Sequence, residues 1–598
     1  ALSGFLLASF SPETRLQIFG LGLMLPGGGF LAHADLSSWA GTLHTLTALC
    51  GLGGFAFAVF IWFGTGNVLA PPVVWLAFAL AATSMNHGHV HTTALWLVIG
   101  IISVLFGLGS IAGLLLHIKG KRARQQANDY LSRNGQIIAD AFKEKNPHPA
   151  ELSLDDLKRM RFLLDRALQP LDEFNGFEWL DQFQTAAIRY QLNFLGYALS
   201  MAQATYAPAF QGYLTRAQEN LILKQADHRV WRYWAIENMW GNLRLDADPV
   251  ARENIMYTGF CALQMSLYHS ASRQHSFMLP GSFKLSSTTG KTYSYDLPAL
   301  IQALEREAKA SEFHLIACEP NWIYPLCNTI GAAAVKSQAP DIWARHEPQF
   351  RQMLDQEFLT SSGRIVPCRS NYIGFALPLI GGAMPQAMPS FFLNATMPDI
   401  AMRQWLLLRR DIMDGATLQR DRFWKVDTGN YRFSRAAAYA ATALTAAELG
   451  DTEVFEQCLS ALDEECPVKS DDGSFYRPQA SVWAHAVEFM ARSTRTNSFR
   501  TLITTPVRKL EGLHISGAAY PSVLVASAHY TEDDGLRAVL YPGTNAPQHE
   551  IQLAGLVAGQ TYYCKGTVER SFVADDTGKG KVQINLRERL EISISTMN

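Results

Sequence analysis

Four stretches near the amino terminus carry almost nothing but apolar side chains, at residues 16–34, 43–63, 71–85 and 93–116. Each approaches the roughly 20 residues that cross ~30 Å of hydrocarbon, so the pattern predicts four transmembrane helices, with 71–85 short enough for a re-entrant piece. From about Asp129 to Arg500 the pattern becomes helical, with apolar residues three and four apart in 186–204, 250–272 and 436–449. Clusters such as Asp246-Ala247-Asp248-Pro249 part these helices. Roughly a dozen helices without a repeated consensus favour a closed (α/α)6 barrel over a solenoid. Beyond about Leu510 the chain alternates or is β-branched at 522–528, 536–541, 550–553, 561–569 and 581–586. That predicts a small β-sandwich-like domain, with Gly543-Thr544-Asn545 and Asp576-Thr577-Gly578 as hairpin loops. The expected fold class is mainly α, with a transmembrane domain over 1–125, the barrel over 126–508 and the β-rich domain over 509–598.

Composition sharpens the first of these readings. The 598 residues hold 51 Lys+Arg against 53 Asp+Glu, a net charge of -2, which gives no basic face of the kind nucleic-acid binders need. Nucleic acid is therefore not an expected partner. The first 117 residues contain only Glu13, Arg15 and Asp35 as charges, where the chain average would place about 20. A cleaved signal peptide accounts for one apolar run and not four, so a lipid bilayer is the expected partner. Lys119, Lys121, Arg122 and Arg124 follow the last run, while the connections between runs carry no Lys or Arg. The positive-inside rule then predicts a multi-pass protein with everything after Lys119 in the cytoplasm. Gly27-Gly28-Gly29 and Gly51-Leu52-Gly53-Gly54 lack the strand and Lys-Ser/Thr of a phosphate loop, and read as close helix packing in the bilayer.

Eight cysteines are spread thinly, and one pair stands apart in Cys318-Glu319-Pro320-Asn321-Trp322-Ile323-Tyr324-Pro325-Leu326-Cys327-Asn328. Nine residues on one helix would place the thiols on opposite faces, and Pro320 and Pro325 oppose a continuous helix. The segment reads as a loop that doubles back, with Cys327 at the start of a helix, where unpaired N–H groups favour a thiolate. Two thiols would then face one cavity, with Trp322 and Tyr324 between them offering π faces to a cation. The alternative is a pair of buried cysteines acting as small hydrophobes.

This segment, together with Glu253-Asn254-Ile255-Met256-Tyr257 and Ile188-Arg189-Tyr190, resembles the linalool dehydratase-isomerase family, over roughly residues 165–466. The resemblance implies a cofactor-free, metal-free (α/α)6 barrel that forms homo-oligomers and interconverts geraniol, linalool and the triene myrcene. It also implies active-site roles for Cys318 and Cys327, for Tyr190, and for Met256 in the pocket. The catalytic aspartate falls on Asp165, with Asp172 as the alternative. Two positions depart from the family: Pro170-Leu171-Asp172 stands where a Pro-aromatic pair precedes a tyrosine, and Phe260 replaces a histidine four residues after the methionine. Such a site would take a different isoprenoid, or run another step such as cyclisation.

Ionising an allylic alcohol needs a proton for the departing hydroxyl, an aromatic chamber that tolerates positive charge, and a base at the neighbouring carbon. A thiol near its ordinary pKa of ~8.5 is protonated at neutral pH and can donate. Either Cys318 or Cys327 is the expected acid, with the other as partner or base and Asp165 or Asp172 as acceptor. Tyr190 and Phe194 are i and i+4, as are Met256 and Phe260, spacings that also suit plain core packing. Glu319 could orient a group behind the cysteines. The expected substrate is a small apolar isoprenoid alcohol. Asn86-His87-Gly88-His89-Val90-His91 has metal-ligand residue types but no carboxylate nearby, and reads as an interfacial loop. Trp231-Arg232-Tyr233-Trp234 with Trp240 could stack sugars, with Glu237, Asp246, Asp421 and Asp427 as candidate acids. A membrane-tethered scaffold is the non-enzyme alternative.

Overall fold

The computed structural model describes residues 2–34, 37–85, 90, 93–142, 150–180, 187–377 and 382–596, so His87, His89 and His91 lie outside the described residues. The chain forms two compact units. The first gathers Ala1–Gln126 with two segments from far along the chain, Trp234–Ala247 and Glu319–Trp322. All other residues form the second, and residues 509–598, expected as a domain of their own, are part of it.

In the first unit, α1 (Leu2–Phe10) and α2 (Thr14–Met24) pack closely, since a Cβ on Gly4 would stand 2.7 Å from the Gly20 carbonyl. The long helices are α3 (Trp39–Thr65) and α5 (Ala94–Tyr130), with α4 (Ala70–Ser84) between them. Residues 16–34 do not make one helix. Pro26 removes an N–H and holds Leu25 extended, Gly27 is left-handed at φ 77°, and a 3-10 turn follows over Gly28–His33. The first run of glycines and Gly51 pack closely, since a Cβ on Gly27 would lie 2.5 Å from the Ala48 carbonyl and one on Gly51 2.7 Å from Gly27 Cα, whereas Gly53 faces open space. A π turn at Leu131–Gly135 carries α5 into α6 (Gln136–Ala141). Among the described residues two helices, α3 and the 48-residue run Ala94–Ala141, are long and apolar enough to cross a membrane, where the sequence suggested four.

The remaining helices are α7 (Leu154–Ala167), α8 (Ile188–Tyr206), α9 (Gly212–Gln225), α10 (His228–Trp231), α11 (Tyr233–Asn242), α12 (Ile255–Ser272) and α13 (Leu297–Ala310). After them come α14 (Pro325–Gln338), α15 (Pro340–Glu357), α16 (Met384–Thr396), α17 (Pro398–Ile412), α18 (Ala436–Leu449), α19 (Thr452–Glu465), α20 (Val482–Ser493) and α21 (Ser498–Thr504). In the second unit α8 packs on α12, α12 on α14, α14 on α16, α16 on α18, α18 on α20, and α20 back on α8. These six are apolar nearly all round and buried, as a helix enclosed on every side must be. Their sequence neighbours α9, α13, α15, α17 and α19 bury one stripe each, for instance Leu297, Leu300, Ile301 and Leu304 of α13.

The carboxyl-terminal strands form two antiparallel sheets. One has the order Val523–Tyr530, Leu536–Pro542, Leu590–Ser595, Thr561–Lys565, Ser571–Val573, and the other His514–Ala518, Gln548–Ala554, Gly580–Asn585. Neither expected hairpin loop closes a hairpin, because the strands flanking Gly543–Asn545 and those flanking Asp576–Gly578 belong to different sheets. Backbone bonds tie this region to the helical core: Ala209 N donates to Ala528 O at 3.0 Å, and Gln211 N to Ile515 O at 2.9 Å.

Candidate active site

Two glycines set the site's framework. A Cβ on Gly259 of α12 would lie 3.3 Å from Gly331 Cα of α14, so the two helices cross in near backbone contact. One turn toward the amino end from this crossing stand Met256 on α12 and Cys327 on α14. On the other flank, Asn193 Nδ2 of α8 donates to Gln264 Oε1 of α12 at 2.9 Å, and Gln264 Nε2 donates to Leu192 O at 3.2 Å.

The stretch before Cys318 closes this end of the group. Ile316 N donates to Asn328 Oδ1 at 2.7 Å, while Asn328 Nδ2 donates to Ile316 O at 2.9 Å and to Tyr324 O at 3.0 Å. Ile255 N donates to Ala317 O at 3.1 Å. The residue beside Cys327 thus grips the residue two before Cys318, and the first turn of α12 holds the residue between. The chain doubles back between its two cysteines. Both are buried and neither is in a disulfide. Cys327 sits in the first turn of α14 behind Pro325, whose missing N–H suits that place. Tyr324, half-buried, supplies the residue before the helix.

The first turn of α8 adds the polar wall. Tyr190 donates its hydroxyl to Met256 Sδ at 2.6 Å, and Arg189 Nη2 donates to that hydroxyl at 3.0 Å. The buried Arg189 guanidinium lies 4.0 Å from the Tyr233 ring centroid and 4.8 Å from that of Tyr190, distances at which a cation is held by π faces. Phe260 meets Tyr190 edge-on at 5.8 Å, and its carbonyl accepts from the Tyr197 hydroxyl at 2.9 Å. Burial pushes the Tyr197 phenol well above its ordinary value, with the thiols of Cys261 and Cys327 adding to the shift. Burial likewise pushes the Cys261 thiol up to about 12, opposed by Asn193 and Arg189. Cys261 is therefore held as the protonated thiol.

Tyr190, Met256, Phe260 and Cys327 come from the starts of three adjacent helices, with Cys318 on the stretch that closes them off. Sequence reasoning passed over Arg189, Tyr197 and Cys261. Arg189 was legible as a charge inside an apolar helix start, but the other two look like ordinary core. Asp165 and Asp172 do not join the group. Asp165 lies on α7 with its side chain 41% exposed, accepts from the Tyr520 hydroxyl of the strand-rich region, and has Arg161 Nε at 3.9 Å. Burial raises its carboxyl above the ordinary value, offset by Tyr520 and Arg161. Asp172 is exposed in a turn, where it acts electrostatically on Lys224 and Arg229. Trp322 belongs to the first unit, where its ring stands 4.4 Å from Phe63 and 5.5 Å from Trp62. Glu319 is buried in that unit too.

Among the candidate sugar-cleaving acids, Asp427 is buried and accepts from the backbone N–H of Gly382, Met384 and Thr428. Burial lifts its pKa to about 6 against those three donors. Its bonding fixes the start of α16. Asp421 lies in a surface 3-10 turn, and Glu237 and Asp246 belong to the first unit.

Residues 189–483 match the family model described as linalool dehydratase/isomerase, a span that covers the polar wall, both cysteines and the ring helices up to the first residues of α20. Among solved structures, a GH127 β-arabinofuranosidase shares 10% identity over 77% of this chain and 78% of its own, with a TM-score of 0.23. A GH127 β-L-arabinofuranosidase from Geobacillus stearothermophilus T6 shares 9% over 79% and 80%, again at 0.23. Likenesses at that score carry no argument about fold or activity.

Proposed function

The chain belongs, through residues 189–483, to the linalool dehydratase/isomerase family, and from that premise we propose that it dehydrates or isomerises an isoprenoid alcohol at Cys318 and Cys327. The six helices packed in cyclic order are read here as an (α/α)6 barrel. The observation that carries the proposal is the Asn328 clamp, which binds the backbones flanking the two cysteines to each other and to the start of α12.

In this reading one thiol gives its proton to the substrate hydroxyl, which Tyr190 orients. The C–O bond breaks, water leaves, and the positive charge spreads over the allylic carbons beside the rings of Tyr190 and Phe260. The thiolate then takes a proton from the carbon next to the cation, with the second cysteine as its hydrogen-bond partner, leaving a conjugated diene and restoring the thiol. Return of water to the far allylic carbon gives the isomer instead. Asp165 and Asp172 stay outside this scheme, and no cofactor enters it. Phe260 in place of an imidazole leaves the chamber more apolar, which suits a longer prenyl chain.

The apolar first unit fits the same substrate class, since a prenyl alcohol concentrates in a bilayer. We place α3, α4 and α5 across the membrane, so that the carboxyl ends of α3 and α5 share the side marked by Lys119, Lys121, Arg122 and Arg124, in the cytoplasm, and the protein as a homo-oligomer. The test offers purified full-length protein in vesicles a panel of C5 to C20 prenyl alcohols and identifies the extracted products, beside Cys318→Ala and Cys327→Ala. A diene or rearranged alcohol is expected, with each variant slowed about 10²- to 10⁴-fold, the range of a lost acid or base. A cyclic product would keep the site and change the reaction to cyclisation, while release of sugar with no alcohol turnover would overturn the reading.

A further inference from the structure

Helix α11 and the turn after it carry four apolar side chains that point outward: Ile236 (49% exposed), Met239 (44%), Leu243 (68%) and Leu245 (91%). Ile236 and Met239 stand three apart on the helix, and Leu243, left-handed at φ 56°, and Leu245 follow beyond its end. Trp240 on the same helix donates its indole N–H to the Thr65 carbonyl, at the last residue of α3, at 3.0 Å. A second indole serves the same helix end, as Trp322 donates to the Trp62 carbonyl at 3.1 Å. A carbonyl at the last residue of a helix lacks an intrahelical donor, and Trp240 supplies one to Thr65, while Trp322 adds a second donor to the Trp62 carbonyl, which also accepts from Gly66 N at 2.9 Å.

The backbones are fitted together as closely. A Cβ on Gly241 would lie 2.3 Å from Pro320 Cβ, and one on Gly66, left-handed at φ 67°, would lie 2.9 Å from the Pro320 carbonyl. These residues belong to one compact unit. The helix they finish spans ~40 Å at 1.5 Å per residue and leaves Phe57 (63%) and Phe60 (69%) exposed near that end. Tryptophans gathered at the end of an apolar helix are the mark of the headgroup layer, where an indole buries its ring and keeps its N–H satisfied.

We infer that α11 and the Leu243–Leu245 turn lie in the headgroup interface of a phospholipid bilayer at the carboxyl end of α3, pressing Ile236, Met239, Leu243 and Leu245 toward the acyl chains. Glu319–Trp322, the four residues that follow Cys318, are part of the same interfacial layer. A prenyl alcohol dissolved in the membrane therefore meets, at the lipid surface, the helix that packs on Pro320 in the buried segment that both cysteines bracket. This last step rests on the dehydratase/isomerase reading, while the lipid contact rests only on α3 crossing the membrane.

The test uses full-length protein with Cys50→Ser, which removes the exposed cysteine, and Leu245→Cys labelled with an environment-sensitive nitrobenzoxadiazole dye. In phosphatidylcholine vesicles the dye is expected to shift to the blue and to be quenched by lipids spin-labelled near the top of the acyl chain more than by those labelled near its end. A water-like emission, or a blue-shifted emission that no spin-labelled lipid quenches because a second protein copy covers the site, overturns the inference. In parallel, Met239→Asp/Leu245→Asp is expected to raise KM for a C15 alcohol delivered in vesicles by about fivefold or more. It should leave kcat, and KM for a water-soluble C5 alcohol, unchanged. Equal KM for the C15 alcohol would overturn the link to substrate access. If the dye is quenched but no alcohol is turned over by the parent protein, the lipid contact stands and the dehydratase/isomerase reading falls.

Discussion

Helices α3 and α12 are built from much the same apolar residue types, yet every residue of α12 except Ser270 is buried, against 17% of the most apolar stretch of α3. Their polar residues differ in part, since Ser266 and Ser272 of α12 turn back on their own helix as the threonines of α3 do. In α12, Gln264 reaches across to Asn193 and Leu192 of α8. In α3, Thr42, Thr45, Thr47 and Thr65 each turn back to the carbonyl four residues earlier. Side chains that satisfy themselves on their own helix suit a surround with no hydrogen-bond partners to offer. One helix is enclosed by protein neighbours, and the other leaves most of its apolar surface uncovered.

The sharpest way to break this contrast is a charge placed halfway along α3. Leu49, 58% exposed, changed to Arg should cost about 3 kcal/mol of membrane insertion. The check is the fraction of protein released from membranes by alkaline carbonate, which should rise strongly. An unchanged fraction would place α3 in water or against protein.

A smaller effect tests the other side. Gly259→Leu drives a side chain into the α12–α14 crossing, where Gly331 stands 3.3 Å from the new Cβ, and should lose about 1–3 kcal/mol with lower activity. Gly53→Leu in α3, where a new Cβ meets nothing within 4 Å, should stay within ~0.5 kcal/mol. Thermal midpoints in one detergent compare the two directly.

The smallest expected effects are pH shifts in the second unit. Burial raises the Glu448 carboxyl to about 7 despite donors from Phe499, Arg500 and Asn394. Raised above its ordinary 4.5, this group contributes stability that is full below about pH 4.5 and lost as pH climbs through 7. Glu488 runs the other way, since the Arg477 guanidinium holds it at about 2 against burial, so its contribution is present above about 4.5 and lost toward pH 2. The thermal midpoint should therefore fall between pH 5 and 8 in the wild type and stay flatter in Glu448→Gln, while the acid-side fall should shrink in Glu488→Gln.

Patterns local in sequence were legible. The apolar block, the helical middle and the strand-rich tail follow from periodicity, and the two prolines between the cysteines announced a loop. Long-range pairings were not. Nothing near Asp165 shows that its carboxylate meets Tyr520, 355 residues away, so a plausible catalytic acid turned out to hold the strand-rich region. Nor does any local pattern show that Trp240 and Trp322 finish the end of α3. The supposed hairpin loops carried the right turn residues, but turn chemistry does not say which sheet the next strand will join.

The most direct test measures product from linalool and a C15 analogue with wild-type protein, Cys318→Ala, Cys327→Ala and Asp165→Asn, all folded by circular dichroism and reconstituted in vesicles. The dehydrated hydrocarbon, a triene from linalool, or the isomerised alcohol should form with the wild type and Asp165→Asn and nearly vanish with both cysteine variants. Undiminished product from either cysteine variant, or loss confined to Asp165→Asn, would contradict the assignment of the chemistry to the two thiols.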